Sequence, residues 1–316
     1  MSRQPRLAII TGPTGAGKSE LALSLARDLK GEIINADSLA FYRGFDLGTA
    51  KPSAADRAAA PHHLLDILDP DQAFDAAAYL KAARPLVRAL ADAGRPALAV
   101  GGTGFYLRAL TRGLFAGPGR DEVFRAGLAA EAARGADLHA RLAAIDPKTA
   151  ARLAPADRVR LERALEVHHL TGRPISQWQR EHGLKDKPFE TLALVLDRPP
   201  EELEARLRRR TGLMFERGLM DEVEKLLRAG WAPTLKPFGA IGYREALDHL
   251  RGLISLDQAR EKTFLATRRY AKRQRTWFRG QMPEARWFHP DQDAEILQLL
   301  RDFFRPSEGP GKQEKK

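Results

Sequence analysis

No cysteine occurs in the 316 residues, which excludes disulfides, thiol nucleophiles and any cysteine-ligated zinc site. Long apolar runs are missing as well, since no stretch approaches the roughly 20 residues that cross a bilayer as a helix. The first residues, Met1-Ser2-Arg3-Gln4-Pro5-Arg6, lead into a short apolar strand and not into a signal-peptide core. No membrane association and a cytoplasmic location are therefore expected. Acidic charge is in deficit, with 41 Asp and Glu against 52 Lys and Arg and a formal net charge of +11. Such an excess attracts a polyanion. It is unevenly placed: six Lys/Arg and no acid lie between Arg268 and Arg279, whereas Asp37, Asp46, Asp56, Asp66, Asp69, Asp71 and Asp75 balance the N-terminal third.

What is present begins with Gly12-Pro13-Thr14-Gly15-Ala16-Gly17-Lys18-Ser19, directly after the apolar run Leu7-Ala8-Ile9-Ile10 and before a helix-forming stretch. Strand, glycine-rich turn and helix in that order make a P-loop. Its backbone N–H groups converge on an anion, and the helix N-terminus adds its positive dipole end. Lys18 would lie along phosphate oxygens, and the Ser19 hydroxyl would ligate Mg²⁺. A diphosphate or triphosphate ligand follows.

The first third alternates strand and helix: strand 6–11, helix 18–30, strand 32–36, strand 64–68, helix 75–93 and strand 97–100. Nearly continuous apolar strands in this alternation predict an α/β fold, a P-loop NTPase-like parallel sheet flanked by helices. From 113 the pattern changes to short Ala-, Arg- and Glu-rich helical pieces, broken at Gly117-Pro118-Gly119, Pro147, Pro155 and Gly172-Arg173-Pro174. That predicts an inserted small helical domain at 113–189. A strand returns at 191–196, and Asp197-Arg198-Pro199-Pro200-Glu201-Glu202 reads as a helix start. Helices at 200–229, 243–251 and 256–280 follow, so the core is expected to comprise 1–112 and 190–290. The Pro-, Gly- and Lys-rich tail 306–316 is expected to be disordered.

Asn35-Ala36-Asp37-Ser38 closes the second strand, at the sheet edge where ligands collect. Asp37 has three readings: a water-mediated Mg²⁺ ligand, a proton acceptor for an incoming nucleophile, or a cap on the next segment. Gly101-Gly102-Thr103-Gly104 makes a second strand-to-helix turn at the same edge. Thr103 there either hydrogen-bonds a leaving-group oxygen or caps the helix. This strand ends in Val100-Gly101-Gly102 where a P-loop hydrolase carries an acid, which argues against a motor-type NTPase. His62-His63 are expected to pack or hydrogen-bond, because neighbours in a strand face opposite sides and no metal-ligand cluster accompanies them. Arg268, Lys272, Arg275 and Arg279 share one helix face, either solvated or set against phosphates.

In their order along the chain, these features resemble the bacterial tRNA dimethylallyltransferases, also called tRNA isopentenyltransferases. The matching residues are Gly12 to Ser19, Asp37-Ser38, Tyr42-Arg43-Gly44, Gly48-Thr49-Ala50-Lys51-Pro52, His62-His63-Leu64, Gly101-Gly102-Thr103 with Tyr106-Leu107-Arg108, Arg163-Ala164-Leu165-Glu166-Val167, Ile241-Gly242-Tyr243-Arg244, and Thr267-Arg268 through Lys272-Arg273-Gln274 to Thr276-Trp277. The resemblance implies transfer of a dimethylallyl group from dimethylallyl diphosphate to N6 of the adenosine immediately 3′ of a tRNA anticodon. The P-loop would then hold a prenyl diphosphate with Mg²⁺, Asp37 would be the base, and Thr103 would hydrogen-bond the released oxygen. Arg206, Arg210 and Arg244 are further candidates for diphosphate contacts. On the tRNA side it implies Asp37, Ser38, Leu39, Ala40, Thr103, Arg125, Val159, Arg160, Leu161, Glu162 and Arg163, and the basic helix adds Arg268, Lys272 and Arg273. Two departures stand out: Ala40 and Val159-Arg160 occupy places where the family commonly has Gln and Gln-Arg. A monomer is expected, because tRNA must enter the cleft. Three other readings compete: a prenyltransferase acting on free AMP, ADP or ATP, a P-loop small-molecule kinase, and a tRNA-binding chaperone without chemistry.

Overall fold

Leu7, Ala8, Ile9 and Ile10 are all fully buried, as a strand covered on both faces requires. They belong to β1 (Arg6–Thr11), one of the inner strands of a six-stranded sheet in a computed structural model that describes residues 4–183 and 185–305. The tail 306–316, expected to be disordered, lies outside the described residues. The other strands are β2 (Glu32–Asn35), β3 (His62–His63), β4 (Ala97–Val100), β5 (Glu190–Leu196) and β6 (Arg286–Phe288), in the order β3-β2-β4-β1-β5-β6. Every pairing is parallel. All strand C-termini therefore meet at one edge, where the P-loop, Asp37 and Thr103 follow β1, β2 and β4.

The first helices are α1 (Lys18–Leu29), α2 (Ala54–Ala59), α3 (Ala76–Asp92) and α4 (Gly104–Arg112). After β5 come α10 (Pro200–Glu216), α11 (Leu219–Arg228), α12 (Tyr243–Leu250), α13 (Leu256–Gln281) and, after β6, α14 (Asp293–Phe304). Leu21, Ala22 and Leu25 of α1 pack with Ile10 and Leu194 of the sheet and with Ile296 and Leu300 of α14. A second core joins Tyr42 and Phe45 to Phe215, Leu219, Val223 and Tyr243.

Met1–Thr111 with Pro188–Lys316 make one compact unit, and Arg112–Lys187 make another. The second holds α5 (Glu122–Ala133), α6 (Leu138–Ile145), α7 (Pro147–Ala150), α8 (Arg158–Thr171) and α9 (Ile175–His182). Its core is Leu128, Leu138, Leu142, Leu161, Leu165 and Val167. Asp caps start four of its helices, at Asp121, Asp137, Asp146 and Asp157, each accepting a backbone N–H of the first turn.

Two expected elements differ. The strand expected at 64–68 lies instead at His62–His63, because Leu64 and Asp66 adopt φ of 60° and 55°, outside the extended region. The helix expected at 200–229 is two helices parted at Gly218, where φ is 96°. β6 and α14 were not anticipated: the three-residue β6 carries too short a pattern to announce itself, and α14, packed on α1, carries the core past its expected end at 290.

Candidate active site

Where β1 ends, the chain turns at Gly12 with φ of 142°, and a Cβ there would come within 2.1 Å of the Leu196 carbonyl oxygen. Only glycine lets the P-loop leave the sheet so close to the end of β5. The loop then closes through Gly17, the N-cap of α1 in a left-handed conformation. Cations from α1 and α10 gather on it. Lys18 Nζ donates to the Pro13 carbonyl at 2.9 Å, Arg210 Nη1 to Thr14 Oγ1 at 3.0 Å, and Arg206 Nε to the Gly15 carbonyl at 3.1 Å. Arg206 also reaches Glu20 at 3.3 Å. The acceptors of Lys18 and Arg210 are uncharged oxygens, so their charge awaits an anion. Burial lowers the Lys18 pKa to about 8, Arg210 pushes the same way, and Asp37 opposes both.

Asp37 follows β2. Its N–H donates to Asn35 Oδ1 at 2.9 Å, and its Oδ1 accepts the Leu39 N–H at 3.0 Å. The capping role therefore occupies one carboxylate oxygen. Oδ2 has no hydrogen bond among the described residues and remains able to accept a proton. Thr103 Oγ1 accepts the Ser38 N–H at 3.0 Å, while the Thr103 N–H donates to the Ala36 carbonyl at 3.2 Å. With its oxygen already accepting, the hydroxyl keeps its proton for another acceptor. Gly101 allows this approach: a Cβ on it would lie 2.3 Å from the Ala36 carbonyl carbon.

Two residues that shape the loop had no site role assigned from the sequence. Gln274 bonds Thr14 and Gly102, and Arg198 Nε donates to the Ala16 carbonyl at 3.1 Å. The signal for Gln274 was its register: with Ala271 and Phe278 it falls on the buried face of α13, where a polar side chain requires partners.

A family model described as IPP transferase matches residues 40–281. The chain belongs to this family. A tRNA dimethylallyltransferase of Syntrophobacter fumaroxidans is 50% identical over 299 residues, 94% of this chain and 87% of that protein. One from Geobacter sulfurreducens is 47% identical, covering 95% of this chain and 97% of that one. Among solved structures, the tRNA isopentenylpyrophosphate transferase of Bacillus halodurans superposes with a TM-score of 0.70 at 35% identity, covering 96% of this chain and 97% of that one. A eukaryotic dimethylallyltransferase acting on tRNA gives a TM-score of 0.80 at 27% identity, covering 98% and 81%.

As an IPP transferase, the chain carries its expected tRNA-side residues in very different settings. Val159 is 72% exposed, yet Leu161 is 2% exposed and belongs to the core of the inserted unit, not to its surface. Glu162 takes the Arg158 guanidinium at 2.7 Å, and Arg160 pairs with Asp157 at 3.0 Å. Arg125 and Arg163 both turn to Glu166, at 2.7 and 2.5 Å, because that carboxylate is fully buried and must be neutralised. Ala40 is 4% exposed, so the residue at this place faces the interior, while Ser38 and Leu39 beside it are half-buried.

On α13, Lys272 and Arg273 are exposed and Arg268 pairs with Glu204 at 3.2 Å. Arg275 departs from the face expected for it: it bonds Asp197 at 2.6 Å and the Arg198 carbonyl at 2.7 Å. Arg244 is not brought to the P-loop by any hydrogen bond, since its guanidinium is held by Glu245 at 2.6 Å. His63 pairs with Glu32, and His62 Nδ1 lies 2.8 Å from the Ala60 carbonyl. No cluster of metal-ligating side chains occurs among the described residues.

Proposed function

We propose that the chain transfers the dimethylallyl group of dimethylallyl diphosphate to N6 of the adenosine 3′-adjacent to the anticodon in tRNA. The observation that carries this reading is the division of labour at one sheet edge: Lys18 and Arg210 bound only to neutral oxygens, beside an Asp37 with one oxygen uncommitted. An exocyclic adenine amine is a poor nucleophile, because its lone pair is delocalised into the ring. As N6 attacks the allylic carbon, Asp37 takes its proton, a step of the kind worth about 10²–10⁴-fold. The carbon–oxygen bond breaks with its electron pair going to diphosphate. Lys18, Arg206, Arg210 and the loop N–H groups stabilise that charge, and the Thr103 hydroxyl donates a hydrogen bond to the departing oxygen while keeping its proton. The adenine must leave the anticodon stack to reach Asp37, at a cost of a few kcal/mol. Exposed cations such as Lys272 and Arg273 would offset that cost through phosphate contacts.

Magnesium fits this donor set. Ser19 is exposed at the first turn of α1, and a hard cation that keeps its waters and binds phosphate oxygens needs few protein ligands. When bound, it supplies further positive charge at the leaving group. The reading takes the chain to act as a monomer in the cytoplasm. No described helix is long and apolar enough to cross a membrane.

Incubation with Mg²⁺, labelled dimethylallyl diphosphate and either tRNA or AMP tests the reading. Label in tRNA alone is expected; label in AMP alone would assign the chain to free nucleotides and overturn it.

A further inference from the structure

Helix α13 enters the active site through a side chain for which the reaction outlined above has no role. Gln274 is 7% exposed, and both ends of its amide are engaged. Oε1 accepts the Thr14 N–H at 2.9 Å, and Nε2 donates to the Gly102 carbonyl at 2.9 Å. Space is as tight as the bonding: a Cβ on Gly102 would lie 2.5 Å from Nε2.

These two partners belong to the two halves of the chemistry. Thr14 sits in the phosphate-binding turn, where Arg210 holds its hydroxyl. Gly102 immediately precedes Thr103, whose hydroxyl holds the Ser38 N–H next to Asp37. The sheet itself ties β1 to the end of β4 only as far as the bond from Thr11 Oγ1 to the Gly101 carbonyl, 2.7 Å. Past that point both loops leave the sheet, and among the described residues the Gln274 amide is the hydrogen-bonded link between them.

We propose that Gln274 is a positioning residue for prenyl transfer: by bonding both loops it sets the separation between the diphosphate held at the P-loop and the Thr103 hydroxyl, touching neither substrate. The inference rests on the roles given above to Thr103 and the P-loop. Displacement requires the amine, the carbon and the departing oxygen in line, and a misplacement of about 1 Å costs on the order of 10²-fold in rate.

Two substitutions test it. Gln274→Met keeps the volume and loses both hydrogen bonds. Gln274→Glu as a carboxylate keeps an acceptor for Thr14 but meets the Gly102 carbonyl without a proton; once protonated, its acid group again offers one acceptor and one donor. The expected result is a kcat of Gln274→Met lower by about 10²-fold, with the KM for tRNA within twofold of wild type. The ratio of Gln274→Glu activity to wild type should rise as the pH falls from about 8 to about 5. Lys18 on α1, Arg210 on α10, Asp37 after β2, and Tyr270 and Arg273 on α13 are common to both proteins, so the ratio removes their own titration to first order. A wild-type kcat in Gln274→Met overturns the proposal, because packing alone would then suffice. A ratio that stays flat overturns it too, and that comparison decides the matter if Gln274→Met fails to fold. A wild-type protein that transfers no label to tRNA would instead defeat the functional reading itself.

Discussion

The P-loop and the inserted unit each gather cations, and Lys18 and Arg210 at the one are partnered differently from Arg125 and Arg163 at the other. In the inserted unit, Arg125 and Arg163 close on Glu166, a fully buried carboxylate that also accepts the Asp121 N–H at 2.9 Å. Burial alone would raise the Glu166 pKa, but the two guanidiniums and that N–H prevail and hold it at about 2. The charge there is satisfied internally. At the P-loop, Lys18 and Arg210 hydrogen-bond only a carbonyl and a hydroxyl, and the Asp37 carboxylate acts on them through space, so both keep hydrogen-bonding capacity for an arriving anion. A count of basic residues cannot separate a structural arginine from a binding one; the charge of its partner does.

The largest effects are expected at the P-loop edge of the sheet. Asp37→Ala should lower kcat by about 10³-fold, and Thr103→Ala by about 10²-fold, with tRNA affinity by filter binding within about twofold in both. Arg210→Ala should raise the KM for dimethylallyl diphosphate by at least about tenfold, the worth of a charged hydrogen bond. Arg125→Ala should leave that KM unchanged while lowering the urea-unfolding free energy by about 3 kcal/mol, because Glu166 would lose a guanidinium partner in the interior. If Arg125→Ala moved the KM and Arg210→Ala moved only stability, the contrast would be reversed.

Proton titration sharpens the same contrast. Lys18 has a pKa lowered to about 8 in the ligand-free protein and must be protonated to hold a phosphate oxygen. The value of kcat/KM for dimethylallyl diphosphate should therefore fall as pH rises through about 8, and Lys18→Arg should carry activity to higher pH. Glu166 works in the other direction. Its folded pKa lies below its unfolded value, so its contribution is complete above about 4.5 and is lost as pH falls toward about 2. At about 1.4 kcal/mol per unit that contribution is about 3 kcal/mol. Unfolding monitored at a tryptophan in the inserted unit, Trp178, should show the loss in that window, and Glu166→Gln should reduce the pH dependence there, leaving the part that Asp146 contributes.

Much of the fold was legible because its signals are local. The P-loop is eight adjacent residues, β1, β4 and β5 are apolar runs, and the shift to Ala- and Arg-rich helical pieces near residue 113 marks the inserted unit. Legibility failed where a local pattern was overruled by distant partners. Arg275 has the spacing of a solvated basic face, but Asp197 draws it inward. Leu161 lies in a stretch matched to tRNA contact, but the core of α8 takes it. The 64–68 segment has strand composition, yet its backbone turns through left-handed residues toward Tyr42, which Leu68 meets in an isolated bridge.

The order of residues by itself determined the diphosphate-binding turn, the parallel α/β class and the carboxylate and hydroxyl at the ends of two strands, because strand, turn and helix signals are short-range. Only the tertiary structure decided which cations remain available for an anion and what ties the two reacting loops together. Gln274 stands 260 residues from Thr14 and 172 from Gly102. Partners so far apart leave no periodic trace in a sequence, and folding alone brings them within hydrogen-bond reach.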